Sequence, residues 1–361
     1  MSKKTYSSIS RRQALKGGLA VAVALPALTH LPRAAFADSN ELNIYNWDTY
    51  IGPDTVENFS GETGMEVQYD LFANNEEMFA KLKDGNPGYD LIFPSDYMVE
   101  IMIGLDLLLP VDHSKLPNLK HIDPDPSFSD PAYNPGLKFG PPYFWGTMGL
   151  GYRKSAMDKP TSWSVLFEDA AKHKNRIALI ADQRAMLGFA LKYLGYSLNS
   201  TDAGQIAEAR DLLISIVPMV KTFAPDSGQD LLLSGEVDIC VEWNGDVLQV
   251  MAEDDDLDYV VPDEGGILWQ DAICIPAGGP NPDNAHTFIN YMLDPKINAS
   301  VANYIQYPTA NKSAREFINP DDIANTAIYP SDATIAACEN LVDVGDATRL
   351  YDEAWTMIRA S

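Results

Sequence analysis

The chain has 361 residues with 51 acidic against 26 basic ones, a net charge of −25. That balance speaks against nucleic acid and anionic lipid as partners and is compatible with a cationic ligand, although most of the carboxylates must form solvated surface. At this length about two domains of ordinary size are expected.

The first 37 residues read as removable. Ser10-Arg11-Arg12-Gln13-Ala14-Leu15-Lys16 is a twin-arginine pattern, the apolar run Gly17 to Leu28 follows, and Ala35-Phe36-Ala37 is a small-x-small cleavage site. The apolar run is short for a bilayer span, and no later stretch resembles one. The expectation is a protein exported to the periplasm by the twin-arginine route. Cleavage removes six basic residues and no acid, leaving a net charge of −31.

Leu42 to Trp47 is a strand ending in Trp47-Asp48-Thr49-Tyr50, and Pro53 opens a helix through Phe59. Met65 to Phe72 is the next strand, and Asn74-Asn75-Glu76-Glu77 caps a helix carrying Met78, Phe79 and Leu82 inward. Tyr89 to Pro94 is a strand that delivers Ser95 and Tyr97. This β-α-β-α-β rhythm predicts a parallel sheet with helices on its faces. Asp112 to Tyr143 reads as surface loop. Gly146-x-x-Gly149-x-Gly151 looks superficially like a dinucleotide loop, but the order is wrong and no helix start follows; close backbone packing explains it better.

A second α/β rhythm follows. Trp163 to Lys172 is helical, Arg176 to Ala181 is a strand ending at Asp182, and Met186 to Leu194 and Ala203 to Ser215 are helices. Leu231 to Gly235 leads into the strand Val237 to Trp243, which ends in Asn244-Gly245-Asp246. Glu253-Asp254-Asp255-Asp256 lacks the spacing and glycine of a calcium loop and reads as a solvated turn. Gly266 to Pro276 is a buried strand interrupted by Trp269 and Asp271, which at i and i+2 point to one side. Helices Pro282–Leu293 and Pro295–Ile305 precede the turn Tyr307-Pro308-Thr309. Cys240 and Cys274 lie in apolar runs and read as buried thiols, with one disulfide between them as the alternative.

Trp47, Asp48, Ser95, Tyr97, Asp182, Trp243 and Asp246 all fall at or just past the downstream ends of predicted strands, where open α/β sheets bind ligands. Singly, each has a plain structural reading: Trp47 and Trp243 as core, Asp48, Asp182 and Asp246 as helix caps, Ser95 as a turn residue, Tyr97 and Tyr307 as lid-edge rings. Together they make a set of rings and carboxylates without lysine or arginine, which suits a cation with more than one charge. No nucleophile elbow, phosphate loop, zinc motif or local Cys–His pair is present, so neither a catalytic nor a metal-binding residue is assigned and no cofactor is expected. A carboxylate-dependent glycosidase is the enzyme alternative.

Asn46-Trp47-Asp48-Thr49-Tyr50, Pro94-Ser95-Asp96-Tyr97, Trp243-Asn244-Gly245-Asp246, Trp269-x-Asp271 and Tyr307-Pro308-Thr309-x-Asn311 resemble, in order, the polyamine-binding proteins of bacterial ABC transporters. The resemblance implies an α/β fold of the two-lobed periplasmic binding-protein class (type II), each lobe a mixed sheet flanked by helices and joined by two crossover segments. The lobes are expected at 38–147 plus 271–315 and at 152–266 plus 319–361. It implies a monomer that closes by hinge motion and delivers its ligand to an inner-membrane ABC permease. The family's ring-stacking positions match Trp47, Tyr50, Tyr97, Trp243, Trp269 and Tyr307; its amine-binding carboxylates match Asp182, Asp246 and Asp271; and Ser95 matches a hydrogen-bonding serine.

Three positions depart from the family. Asp48 replaces its usual serine or threonine, Ala185 stands where the spermidine-binding branch has a glutamate, and Leu341 where that branch has a glutamine. Loss of a distal carboxylate favours putrescine over spermidine, with Asp48 as a candidate substitute for the missing acid. A binding protein of this fold for another cation, such as an opine, a betaine or iron, is the alternative within the class.

Overall fold

A computed structural model describes residues 40–361. The predicted signal segment lies outside the described residues. Among them, no helix is long and apolar enough to cross a membrane.

The chain opens with β1 (Glu41–Trp47), β2 (Glu66–Phe72) and β3 (Leu91–Ile92), a parallel sheet in the order β2-β1-β3. In β1 the residues from Leu42 onward are wholly or partly buried, as expected of a central strand covered on both faces. Helix Thr55–Thr63 connects the first two strands and ends on Gly64, whose φ of 74° closes it in the left-handed region. Helix Asn75–Leu82 connects the next two; Asn74 caps it by accepting the Glu77 N–H at 2.9 Å.

Nine more strands follow: β4 (Leu108–Leu109), β5 (Pro142–Arg153), β6 (Ile177–Ile180), β7 (Thr222–Ala224), β8 (Ile239–Trp243), β9 (Leu257–Val260), β10 (Ile267–Ala272), β11 (Ile275–Pro276) and β12 (Glu339–Asn340). A mixed sheet runs β12-β10-β5-β8-β6-β7, with β9 also on β5. The twelve residues of β5 are its axis, antiparallel to β8, β9 and β10. The glycines at 146, 149 and 151 lie inside this strand: a Cβ on Gly146 would stand 2.4 Å from Asn244 Oδ1 and 2.7 Å from the Trp269 ring. The close-packing reading therefore holds.

At its end β10 stays on β5, with Ala272 opposite Pro142, and gains a second partner. Gln270 still pairs with Trp145 of β5, the register then shifts, Asp271 bridges Ser95, and the Ala272 N–H donates to Pro94 O at 3.0 Å. Cys274 next bridges Ile92 of β3, and β11 pairs with β4. One short segment thus hands the chain from the large sheet to the small one.

Some local expectations shift. Gly228–Leu233, in part read as the approach to a strand, is a helix, and the stretch from 113 to 137 contains short helical turns within its loop. The acidic run is more than a solvated turn, because Asp254 and Asp256 both take Arg153 Nη1, at 2.9 and 3.0 Å. Cys240, Cys274 and Cys338 are free thiols, so the disulfide alternative is not realised.

Candidate functional site

A cavity opens where the downstream ends of strands from the small parallel sheet and the large mixed sheet meet. It is lined by Trp47, Asp48, Tyr50, Ser95, Asp226, Trp243, Asp246, Trp269, Asp271 and Tyr307. Nine of these ten come from the sequence reading; Asp226 does not.

Loop residues after β1 bring Trp47, Asp48 and Tyr50. The Trp47 indole N–H donates to Phe93 O at 2.8 Å, which fixes its ring against the end of the small sheet. Thr49, between them, has a φ of 50°, an uncommon conformation for a β-branched residue. Its hydroxyl donates to Asp246 Oδ1 at 2.9 Å. Ser95 follows β3, held by Asn75, whose Nδ2 donates to Ser95 Oγ at 3.0 Å.

The large sheet supplies the other wall. Trp243 ends β8, and Asp246 lies in the first turn of helix Asn244–Met251, where the helix N-terminus favours negative charge. Tyr307 follows helix Pro295–Ile305 and donates its hydroxyl to Asp246 Oδ2 at 3.0 Å. Trp269 and Asp271 face the cavity together, as their two-residue spacing predicts. The rings form a box: centroids lie 6.2 Å apart for Trp47 and Trp243, 5.6 Å for Trp243 and Trp269, and 5.1 Å for Trp269 and Tyr307, all near-perpendicular. Such edge-to-face packing holds ring faces toward a shared space.

Two carboxylate seats flank the box. Asp271 is 4 % exposed and its Oδ1 has no hydrogen-bond partner. Burial pushes its pKa up to about 8; the Ser95 and Tyr50 hydroxyls counter this in part, and Asp96 adds to it. Asp246 is 6 % exposed, and burial raises it to about 7 against the Thr49 and Tyr307 hydroxyls, with Asp48 raising it further. Their acidic neighbours differ: Asp96 raises Asp271, whereas Asp48 and Asp230 raise Asp246. The path from one to the other runs along Tyr307 and Trp269. No lysine or arginine lines the cavity.

The structure does not bring Tyr97 and Asp182 into this cavity. Tyr97 donates to Glu76 Oε1 at 3.0 Å, under the Arg184 guanidinium at 5.8 Å, and lines a separate groove with both. Asp182 caps helix Gln183–Tyr193 by accepting the Ala185 N–H at 2.8 Å. Burial raises its pKa, while the Ala185 N–H and Arg184 oppose the shift. Leu341 is buried and lines a third, wide groove on the other side of Trp269.

Asp226, Glu242 and Asp246 each bring a carboxylate oxygen within 4.8 Å of the others, close enough to hold a cation. Glu242 is fully buried, and its oxygens accept the Gly228 N–H at 3.0 Å and the Trp243 N–H at 3.2 Å. It backs the cluster rather than lining the cavity. Asp226 escaped notice because β7, which precedes it, has only three residues and does not register as a strand.

The chain as a whole has similar proteins. A spermidine/putrescine-binding periplasmic protein of Salmonella typhimurium is 36 % identical over 327 residues, covering 90 % of this chain and 93 % of that one. A putrescine-binding periplasmic protein of Escherichia coli is 32 % identical over 343 residues, covering 90 % and 92 %. Among solved structures, a putative spermidine/putrescine ABC transporter protein from Listeria monocytogenes superposes with a TM-score of 0.84 at 37 % identity, covering 89 % of this chain and 99 % of that one. The fold is the two-lobed type II binding-protein architecture that the sequence motifs led us to expect. With residues 54–331 also matching the family profile, the chain belongs to the bacterial extracellular solute-binding proteins.

Proposed function

We propose that this protein captures a polyamine in the periplasm and delivers it to an inner-membrane ABC permease. One observation carries the reading: two buried carboxylates, Asp271 and Asp246, line a box of tryptophan and tyrosine rings with no cationic side chain among them. A buried carboxylate is stable in charged form only with a partner. A slender dication offers one ammonium to each seat and its alkyl chain to the rings, each cation–π contact adding roughly 0.5 to 2 kcal/mol. Putrescine meets both seats and is the first ligand to try; spermidine is the second. The names of the relatives point the same way.

The binding residues in this reading are Trp47, Asp48, Tyr50, Ser95, Trp243, Asp246, Trp269, Asp271 and Tyr307. Tyr97 and Asp182, matched by family resemblance, lie in or beside the neighbouring groove. The lobe boundaries 38–147 plus 271–315 and 152–266 plus 319–361 belong to this reading, supported by the separation of the small parallel sheet from the large mixed one. Export by the twin-arginine route, a monomeric state, and binding without turnover complete the proposal.

Isothermal titration of the periplasmic protein with putrescine, spermidine, γ-aminobutyrate and a sugar panel tests it. Heat with the amines alone is expected. Heat only with sugars, or with no compound of the panel, removes the reading.

A further inference from the structure

Asp226 has no role in seating a diamine, yet it faces the same cavity. It lies in the turn after β7 with a φ of 47°, and its Oδ1 is buried without a hydrogen-bond partner. Aspartate tolerates this left-handed conformation better than most residues, and its presence at a site is often functional. Burial, then Asp246, Glu242 and Asp48, push its pKa well up, with the Trp243 indole opposing. Negative charge is therefore crowded at this side of the box. Asp226, Asp246 and Asp48 all line the cavity here, against Asp271 alone on the other side.

A diamine matches Asp246 and Asp271 and leaves Asp226 and Asp48 without a counter-charge. On the Asp271 side the lining is shut off from solvent: Asp271, Ser95 and Tyr50 are each 4 % exposed. Asp182, the acid that resemblance places near the missing glutamate, is turned to its own helix cap. The Asp48 side is different: Asp48 and Thr49 are exposed, so the cavity opens there. An additional aminoalkyl arm meets solvent and acid in that direction.

We propose that Asp226, together with Asp48, seats the third ammonium of a triamine at the mouth of the cavity, so that Asp226 raises the affinity for spermidine-like ligands relative to diamines. The proposal rests on the polyamine reading. It places the compensation for the glutamate absent at Ala185 on the opposite side of the site. The diamine portion of the ligand spans Asp271 and Asp246, and the remaining arm reaches Asp226.

The test is titration of wild type and Asp226→Asn with putrescine and with spermidine at pH 7.5. Asparagine keeps an oxygen for the Trp243 indole and removes only the charge. The ratio of spermidine to putrescine affinity is expected to fall at least tenfold in Asp226→Asn and to be kept in Asp226→Glu. Should Asp226→Asn fail to fold, as judged by thermal melting, Asp226→Ser gives the same comparison. A wild type that binds both amines with a ratio unchanged by Asp226→Asn overturns the proposal and leaves the polyamine reading standing. A wild type that binds neither removes both. Calcium bound by the amine-free wild type and lost in Asp226→Asn would make the cluster a metal seat and likewise overturn the proposal.

Discussion

Tyr307 and Asp246 are joined by a 3.0 Å hydrogen bond, and Gly245 is what lets them meet. A Cβ on Gly245 would stand 2.4 Å from two atoms of the Tyr307 ring, so the phenol lies flat against bare backbone.

Gly245→Ala alters no charge and no hydrogen-bonding group. It should displace the Tyr307 ring, free Asp246 of a donor and open the box. We expect amine affinity to fall by about tenfold or more, in line with roughly 1–3 kcal/mol for overpacking a tight contact. Titration calorimetry measures it. Affinity within a factor of two of wild type would show that the ring's position does not matter.

Asp271→Asn should weaken diamine binding by about 2 kcal/mol or more, because one ammonium loses its desolvated partner. The same change should leave the amine-free protein no less stable at pH 8, since it removes a buried acid that is costly to charge. Paired measurements of Kd and urea unfolding check both halves. A parallel loss of binding and stability would mean that Asp271 supports the fold instead.

The pH dependence follows from the same acids. Asp271 and Asp246 have folded values of about 8 and about 7 against an ordinary 3.8, so the folded protein holds more protons than the unfolded chain between those limits. Their contribution to stability is fully present below pH 3.8 and is lost as pH rises through 7 and 8. Binding works in the opposite sense: an ammonium requires the charged acids, so binding releases protons and affinity should rise from pH 5.5 to 8. The amine itself stays protonated throughout, with a pKa of about 10.4 for a lysine-like group. Titrations at pH 6.5 in two buffers of different ionisation heat count the protons; a count of zero contradicts the assignment.

Arg153→Ala removes the cation that ties Asp254 and Asp256 to β5 and donates to Leu232 O at 2.8 Å. The pair is partly exposed, so a modest loss of about 1–2 kcal/mol in unfolding free energy is expected, with amine affinity unchanged. Denaturant unfolding and one titration suffice to check it.

Much of the site was legible before the fold was known, because strand ends are readable from apolar runs that stop at glycine, proline or aspartate. Trp47, Ser95, Trp243 and Asp246 follow from that rule, and Trp269 with Asp271 from alternation along one strand. Two kinds of information were out of reach. Asp226 follows a strand of three residues, too short to show any period. Tyr97 and Asp182 obey the strand-end rule yet turn away, because Glu76 holds the phenol and the Ala185 N–H holds the carboxylate. Which way a side chain turns at a strand end depends on partners distant in sequence. Thr49 illustrates the same limit: its bond to Asp246 joins residues 197 positions apart.

The second partner gained along β10 has a mechanical consequence. Gln270 belongs to the large sheet, and Asp271 already bridges Ser95 beside the small one, so the carboxylate lies on a segment that joins the two. Were the two sheets to rotate about this segment, Asp271 would sit close to the axis and keep its place.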